Sequence, residues 1–328
     1  MIDEIHLKKI NQVSELAVEA ALLEVNSPKP GNITPDKGFG DTSYKDFLLG
    51  CSALRPAVKD AVTKGFLAGE GELRYSRVGL GELIKKAVLD VRESHTGGNT
   101  HLGLVMLFIP LAAASGVCIS QHSDPIKKLR ENLERIIKLS SVEDSVRLYE
   151  AILLSGMSDL GSVRKLDVRD KKSLDDLRSK NINLHNLMQL SAEKDYIARE
   201  LATGLNIVFN ISLPTLQRIH REIEDTKAAT IQTYLIILSR FPDSLIARKK
   251  GLGVAEHVSL KAKEVLDLGG VLTPKGRCAI DELDKLLRSE GNKLNPGTTA
   301  DLIAATIYVL LLYTDEKLRP EEEEGEKT

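Results

Sequence analysis

Residues 102–119 run Leu-Gly-Leu-Val-Met-Leu-Phe-Ile-Pro-Leu-Ala-Ala-Ala-Ser-Gly-Val-Cys-Ile without one charged side chain. A segment this apolar has two physical homes, a bilayer or the dry centre of a helical domain. Its length is the bare minimum for a membrane span, and Gly103, Pro110, Ser115 and Gly116 interrupt it. Neither flank carries the basic anchor of a membrane helix. The expectation is therefore a buried core helix. A helix apolar on every side must be covered on every side, so the rest of the chain has to supply amphipathic partners.

It does so with helices. Across 13–25 the apolar residues Val13, Leu16, Ala17, Ala20, Ala21 and Leu23 follow a 3–4 spacing, with Glu15, Glu19 and Glu24 interleaved. Helix starts are marked by the capping-box pairs Ser43 with Asp46, Ser140 with Glu143, and Thr298 with Asp301. Asp124-Pro125 reads as an N-cap followed by proline at the first helical position. Residues 205–213 are the only tempting strand. The predicted fold is all-α, a single large helical domain over 1–314 with a polar helical middle at about 123–221. The end, 315–328, holds Glu321 to Glu324 in a row and is expected to be an acidic, disordered tail.

Composition narrows function by exclusion. Net charge is −2 with Lys and Arg scattered, which argues against a nucleic-acid partner. Aromatics make up 4% and tryptophan is absent, so base-stacking platforms for single strands are not expected. Cys51, Cys118 and Cys278 fit no metal-ligand spacing and read as reduced thiols of a cytoplasmic protein. Asp3, Glu4, Lys8 and Lys9 break any signal-peptide core, so neither export nor a membrane is expected.

Four loops carry the candidate chemistry. Gly97-Gly98-Asn99-Thr100-His101 lies directly before the apolar run, where flexible backbone and a helix N-terminus suit an anion such as a polyphosphate. His101 could carry a proton or donate to phosphate; the plainer reading is a histidine capping a buried helix. Ser27-Pro28-Lys29-Pro30-Gly31 offers a stiff turn, a cation at Lys29 and close backbone approach at Gly31. The plainer reading there is a helix-ending turn. Downstream, Asp41 is a candidate metal ligand, while Asp46 already has a capping role. In Pro242 to Gly251, Asp243 could hold a metal and Arg248 phosphate oxygens, against a solvated helix junction. Finally, Gly297, Thr298 and Thr299 open an apolar helix after Asn295-Pro296 and could bond phosphate or simply cap.

Taken in this order, the loops resemble the triphosphoribosyl-dephospho-CoA synthase family, whose pattern has P-K-P-G, N-T-H-x-G, D-T-N…R-G-G and S-P-G-G-S-A-D-L-L-A segments. The chain reads Pro28-Lys29-Pro30-Gly31, Asn99-Thr100-His101-Leu102-Gly103, Asp243-Ser244…Arg248 and Asn295-Pro296-Gly297-Thr298-Thr299-Ala300-Asp301-Leu302. Leu102 stands where the family carries a lysine. The resemblance implies an all-α, Mg²⁺-dependent transferase. In its reaction a hydroxyl of dephospho-CoA or a related cofactor attacks C1′ of the ATP ribose and adenine leaves. The transition state is oxocarbenium-like and needs a general base and a nearby carboxylate.

On this basis Lys29, Gly31, Gly97, Gly98, Asn99, Thr100, Arg248, Gly297, Thr298 and Thr299 are expected to bind ATP. Asp41 and Asp243 are the expected metal ligands, and His101 or Asp41 the base. Loops 97–101 and 296–299 should then share one pocket. The partners implied are small-molecule nucleotides, with a homodimer open. Two other readings stay open: a metal-dependent ADP-ribosyl or nucleoside glycohydrolase, and a non-catalytic helical nucleotide-binding protein.

Overall fold

The computed structural model describes residues 2–98, 100–156 and 167–318. Its first half holds α1 (Glu4–Val25), α2 (Tyr44–Ala53), α3 (Arg55–Gly69), α4 (Leu80–Ser94), α5 (Leu102–Ser120), α6 (Pro125–Lys138) and α7 (Val142–Leu154). The second half holds α8 (Lys171–Ser179), α9 (Leu184–Ser191), α10 (Tyr196–Ala202), α11 (Leu213–Ile223), α12 (Thr226–Arg240), α13 (Ser244–Lys250), α14 (Leu252–Asp267), α15 (Pro274–Arg288) and α16 (Gly297–Thr314). Among the described residues there are no strands, only two isolated bridges in the 34–42 loop. The loops anticipated at 27–40, 70–81 and 291–297 separate helices, with one short 3₁₀ turn at Tyr75–Arg77.

The apolar run is the core helix α5, buried along almost its whole length. It and α16 are long and apolar enough to span a bilayer, but 94% and 67% of those stretches are buried inside the fold. Small residues let α3 lie directly on α5. A Cβ on Gly65 would sit 1.9 Å from the Ala113 carbonyl oxygen, and one on Gly116 2.0 Å from that of Val62. Any side chain at either position would force the two helices apart. Helices α1, α6 and α16 complete the cover, and buried residues of 123–221 such as Leu129, Leu133 and Leu187 join the same hydrophobic cluster.

Helix starts follow local chemistry, with three corrections. Ser43 and Asp46 form the expected capping box, and Asp124 caps α6 ahead of Pro125. The box expected at Ser140 and Glu143 is formed one residue later, by Ser141 and Asp144. Asp144 also accepts the Gly81 N–H at 2.9 Å, which ties the start of α4 to α7. No box forms at Thr298 and Asp301, because both side chains are used across the fold. The tempting strand at 205–213 is helical, including a π-turn at Val208–Ser212. There the buried Glu200 carboxylate accepts from the Ile207 and Val208 N–H groups, acting as a cap for that turn. At the C-terminus α16 ends at Thr314, and a 3₁₀ turn at Glu316–Leu318 returns Leu318 to the core. The run Glu321 to Glu324 lies outside the described residues.

Candidate functional site

Helix α1 carries a carboxylate on its buried stripe. Glu24 falls in register with Val13, Leu16, Ala17, Ala20 and Ala21, and it is 6% exposed. The stiff Pro28-Lys29-Pro30 turn swings Lys29 back onto it. Lys29 Nζ lies 2.9 Å from Glu24 Oε1 and donates to the carbonyls of Glu24 (2.5 Å) and Ser27 (2.8 Å), with its side chain fully buried. The expected phosphate ligand is thus a buried counter-ion at the end of α1. Gly31, at φ +77, does need its glycine, but for packing against protein. A Cβ there would meet Leu287 at 2.7 Å and Pro296 at 3.0 Å, and its N–H donates to Asp284 Oδ1 at 2.8 Å. Asn32 Nδ2 donates to the buried Tyr234 hydroxyl at 2.8 Å, which in turn donates to the Pro30 carbonyl at 2.9 Å.

Asp243 is buried and fully engaged. Oδ1 accepts the Leu245 and Ile246 N–H groups, capping α13, while Oδ2 accepts Thr299 N–H at 2.7 Å and Thr299 Oγ1–H at 2.8 Å. Its job here is to clamp the start of α13 to the start of α16. Burial raises its pKa, against the pull of those four donors. Thr298 Oγ1 likewise turns inward, 3.0 Å from Ser244 Oγ, and Gly297 packs on Leu245. The hydroxyls expected to face phosphate therefore face α13.

Two polar atoms at this corner are left over. Arg248 bonds Asp195 through its Nη1, yet its Nε is buried with no partner among the described residues, as is Asn295 Oδ1. Such orphans are costly unless a ligand meets them. Nearby Asp301 accepts the Leu104 N–H at the start of α5, and its Oδ2 occupies the space a Cβ on Gly103 would need, 2.1 Å away. Burial, and then the Glu24 and Asp243 carboxylates, hold the Asp301 pKa well above the usual carboxylate range. Asp301 still keeps part of its surface accessible.

Asp301 is what joins the two helix N-termini. The 97–101 loop itself opens elsewhere, onto a cavity of about 200 Å³ that no residue of 296–299 lines. In this loop Gly97 N–H donates to His95 Nδ1 at 3.1 Å and Gly98 N–H to the Asp41 carbonyl at 3.3 Å. These N–H groups are consequently not free to cradle an anion. Asn99 lies outside the described residues. Asp41 itself is exposed, and its carboxylate borders Gly98.

His101 occupies the N-cap position of α5, 2% exposed, with Nε2 3.4 Å from Cys51 Sγ and its ring on Phe47. Burial, with a contribution from His95, pushes its pKa down to about 3. The ring is neutral at physiological pH and a weak base, which speaks against a proton carrier. Although it stands at the N-cap position, its ring bonds Thr100 and Cys51 and makes no capping hydrogen bond. Among the described residues no group of three or more His, Cys, Asp or Glu is arranged to hold a metal ion. Magnesium asks for less, since one or two carboxylates plus substrate phosphates suffice.

Sequence reasoning missed Glu24, Asp301, Asn32 and Tyr234 as members of this site. For Glu24 a signal existed, a carboxylate in register with an apolar stripe. For Tyr234, buried in α12 and 202 positions from Asn32, there was none.

Buried acids lie beside an under-bonded guanidinium on a fold that, among the described residues, is built of helices alone, the frame of an all-α protein and not of a P-loop or dinucleotide-fold one. Residues 10–320 match the model of the ATP:dephospho-CoA triphosphoribosyl transferase family, and the chain belongs to that family of transferases. It is 26% identical over 301 residues to the Klebsiella pneumoniae 2-(5''-triphosphoribosyl)-3'-dephosphocoenzyme-A synthase, covering 89% of this chain and 88% of that one. A Salmonella gallinarum protein provisionally assigned the same activity is 26% identical, covering 91% and 90% of the two chains. A crystal structure from Archaeoglobus fulgidus, provisionally assigned as a triphosphoribosyl-dephospho-CoA synthase, superposes with a TM-score of 0.57 at 25% identity, covering 79% of this chain and 98% of that one.

Proposed function

We propose that this chain transfers the triphosphoribosyl group of ATP to a hydroxyl of dephospho-CoA, releasing adenine, and that the corner between α13 and α16 receives the triphosphate. The observation carrying this assignment is the buried Arg248 Nε, without a partner among the described residues, on a side chain close enough to act on Asp301 of α16. A guanidinium donor is suited to phosphate oxygens, whereas at the α16 N-terminus the Gly297 and Thr299 N–H groups are already bonded to the Asn295 carbonyl and the Asp243 carboxylate. Lys249 and Lys250 follow on the same short helix, adding positive charge to that end of α13.

Mg²⁺ fits this corner through Asp301, a half-buried residue whose pKa is raised by burial and then by the Glu24 and Asp243 carboxylates, with Arg248 pulling the other way. When bound, the ion would offset triphosphate charge. Asp243, with both oxygens committed to four donors, serves to position α16 rather than to bind metal. Asp41 is exposed and free to stand near the ribosyl ring, where developing positive charge favours a carboxylate. It is also the better candidate for the base that takes the acceptor proton, because it is exposed and can reach a bound hydroxyl whereas His101 is 2% exposed. The unpaired Cys51, Cys118 and Cys278 thiols suit a reducing, cytoplasmic setting.

The test is chromatographic. Incubation with ATP, Mg²⁺ and dephospho-CoA should release adenine only when the acceptor is present. Release without acceptor would favour a glycohydrolase, and no release with any acceptor would overturn the enzymatic reading.

A further inference from the structure

The cavity beside the 95–101 loop is built for something other than phosphate. Val88 and Val91 of α4, with Leu102 and Val105 of α5, give it apolar walls, and His95 and Thr100 add polar edges. Among the described residues Arg92 is the one Lys or Arg lining it, and its Nη1 donates to the Leu154 carbonyl at 2.9 Å. The Gly97 and Gly98 N–H groups are taken, as described above. Two carboxylates also flank the loop. A Cβ on Gly97 would lie 3.0 Å from the Asp46 carboxylate, and one on Gly98 3.4 Å from that of Asp41. A polyphosphate would be repelled here, whereas a neutral planar base would not. The volume, about 200 Å³, is below the roughly 300–1,000 Å³ of drug-sized sites and suits a single bicyclic base.

The hydrogen bonds at the cavity edge run in one direction. His95 Nδ1 accepts from Gly97, so with a neutral ring His95 Nε2 bears the proton and donates to Thr100 Oγ1 at 3.1 Å. Thr100 then donates to His101 Nδ1 at 2.5 Å, which leaves the His101 proton on Nε2, facing Cys51 Sγ. Thr100 Oγ1 has used its proton and one lone pair. The second lone pair remains as an acceptor at the cavity edge.

The geometry points to this cavity as the subsite for an aminopurine base, with Thr100 Oγ1 accepting from its exocyclic amine. The inference rests on the reading of ATP as donor and adds where its base sits. With the base inside, C1′ would lie toward the loop, whose Gly97 and Gly98 are flanked by Asp46 and Asp41. There the C1′–N9 bond breaks as the C1′–O bond forms, and the proton lost by the acceptor balances the one adenine gains. The two carboxylates flanking the loop match the positive charge that develops on the ring.

Calorimetric titration of adenine, hypoxanthine and inorganic triphosphate into the wild type, Ser155→Trp and Thr100→Val tests the assignment, with thermal melts confirming that each variant is folded. Ser155 lines the cavity from the end of α7, so a tryptophan there fills it from the rim. Adenine should bind the wild type and bind Ser155→Trp at least tenfold more weakly. Thr100→Val should lose the preference for adenine over hypoxanthine, and should report independently if Ser155→Trp does not fold. Triphosphate affinity should be the same in all three proteins. Triphosphate binding without adenine binding, or adenine binding indifferent to both substitutions, overturns the subsite and leaves the donor reading standing. Absence of triphosphate binding together with absence of adenine release by the wild type overturns both.

Discussion

Replacing Lys29 by methionine should unfold the protein more readily rather than merely weaken nucleotide binding. The side chain is fully buried and serves three acceptors, the Glu24 carboxylate and the carbonyls of Glu24 and Ser27. Methionine keeps most of the stem volume, so the cavity contribution is small. What remains is a buried carboxylate without its counter-ion, a loss of about 3–5 kcal/mol. Against a typical total stability of about 5–15 kcal/mol, that is a large fraction. With a urea dependence of about 3 kcal/mol per molar, the unfolding midpoint should fall by roughly 1–1.7 M. Circular dichroism through a urea series reads this directly. Adding Glu24→Gln to Lys29→Met should recover about 2 kcal/mol or more, because the stranded charge is then gone. A midpoint within about 0.3 M of wild type, accompanied by a raised KM for ATP, would refute this reasoning and make Lys29 a phosphate ligand.

Gly103→Ala should displace Asp301, since the new Cβ would lie 2.1 Å from its Oδ2. Adenine release is expected to fall at least tenfold for a stability loss of about 1–3 kcal/mol; wild-type turnover in a folded variant would show that Asp301 is not needed. His101 gives a prediction with a definite sign. Its folded pKa, about 3, lies below the unfolded value near 6.5, so its contribution is intact above pH 6.5 and declines as pH falls toward 3. By pH 5 the loss should be about 2 kcal/mol. Urea midpoints at pH 7 and pH 5 should therefore converge in His101→Gln, and an acid loss identical to wild type would assign that limb to another group.

The charge-free run at 102–119 determined that the protein has a central buried helix, and the 3–4 periodicity around it determined an all-α fold. Caps such as Asp124-Pro125 and Ser43 with Asp46 were equally legible, because their partners lie within one helical turn. The ordered Gly/Pro loops were enough to suggest the family. Which way the loop residues face was decided by the tertiary structure alone. Gly31 meets Asp284 and Thr299 meets Asp243 across 253 and 56 positions, and both pairings depend on helices first being packed. That packing turned Lys29 inward, tied up the Gly97 and Gly98 N–H groups, and left Arg248 Nε without a partner. Local sequence fixes where a helix begins because a cap needs only its neighbours. A site drawn from α1, α13 and α16 exists only once the core helix has brought them together.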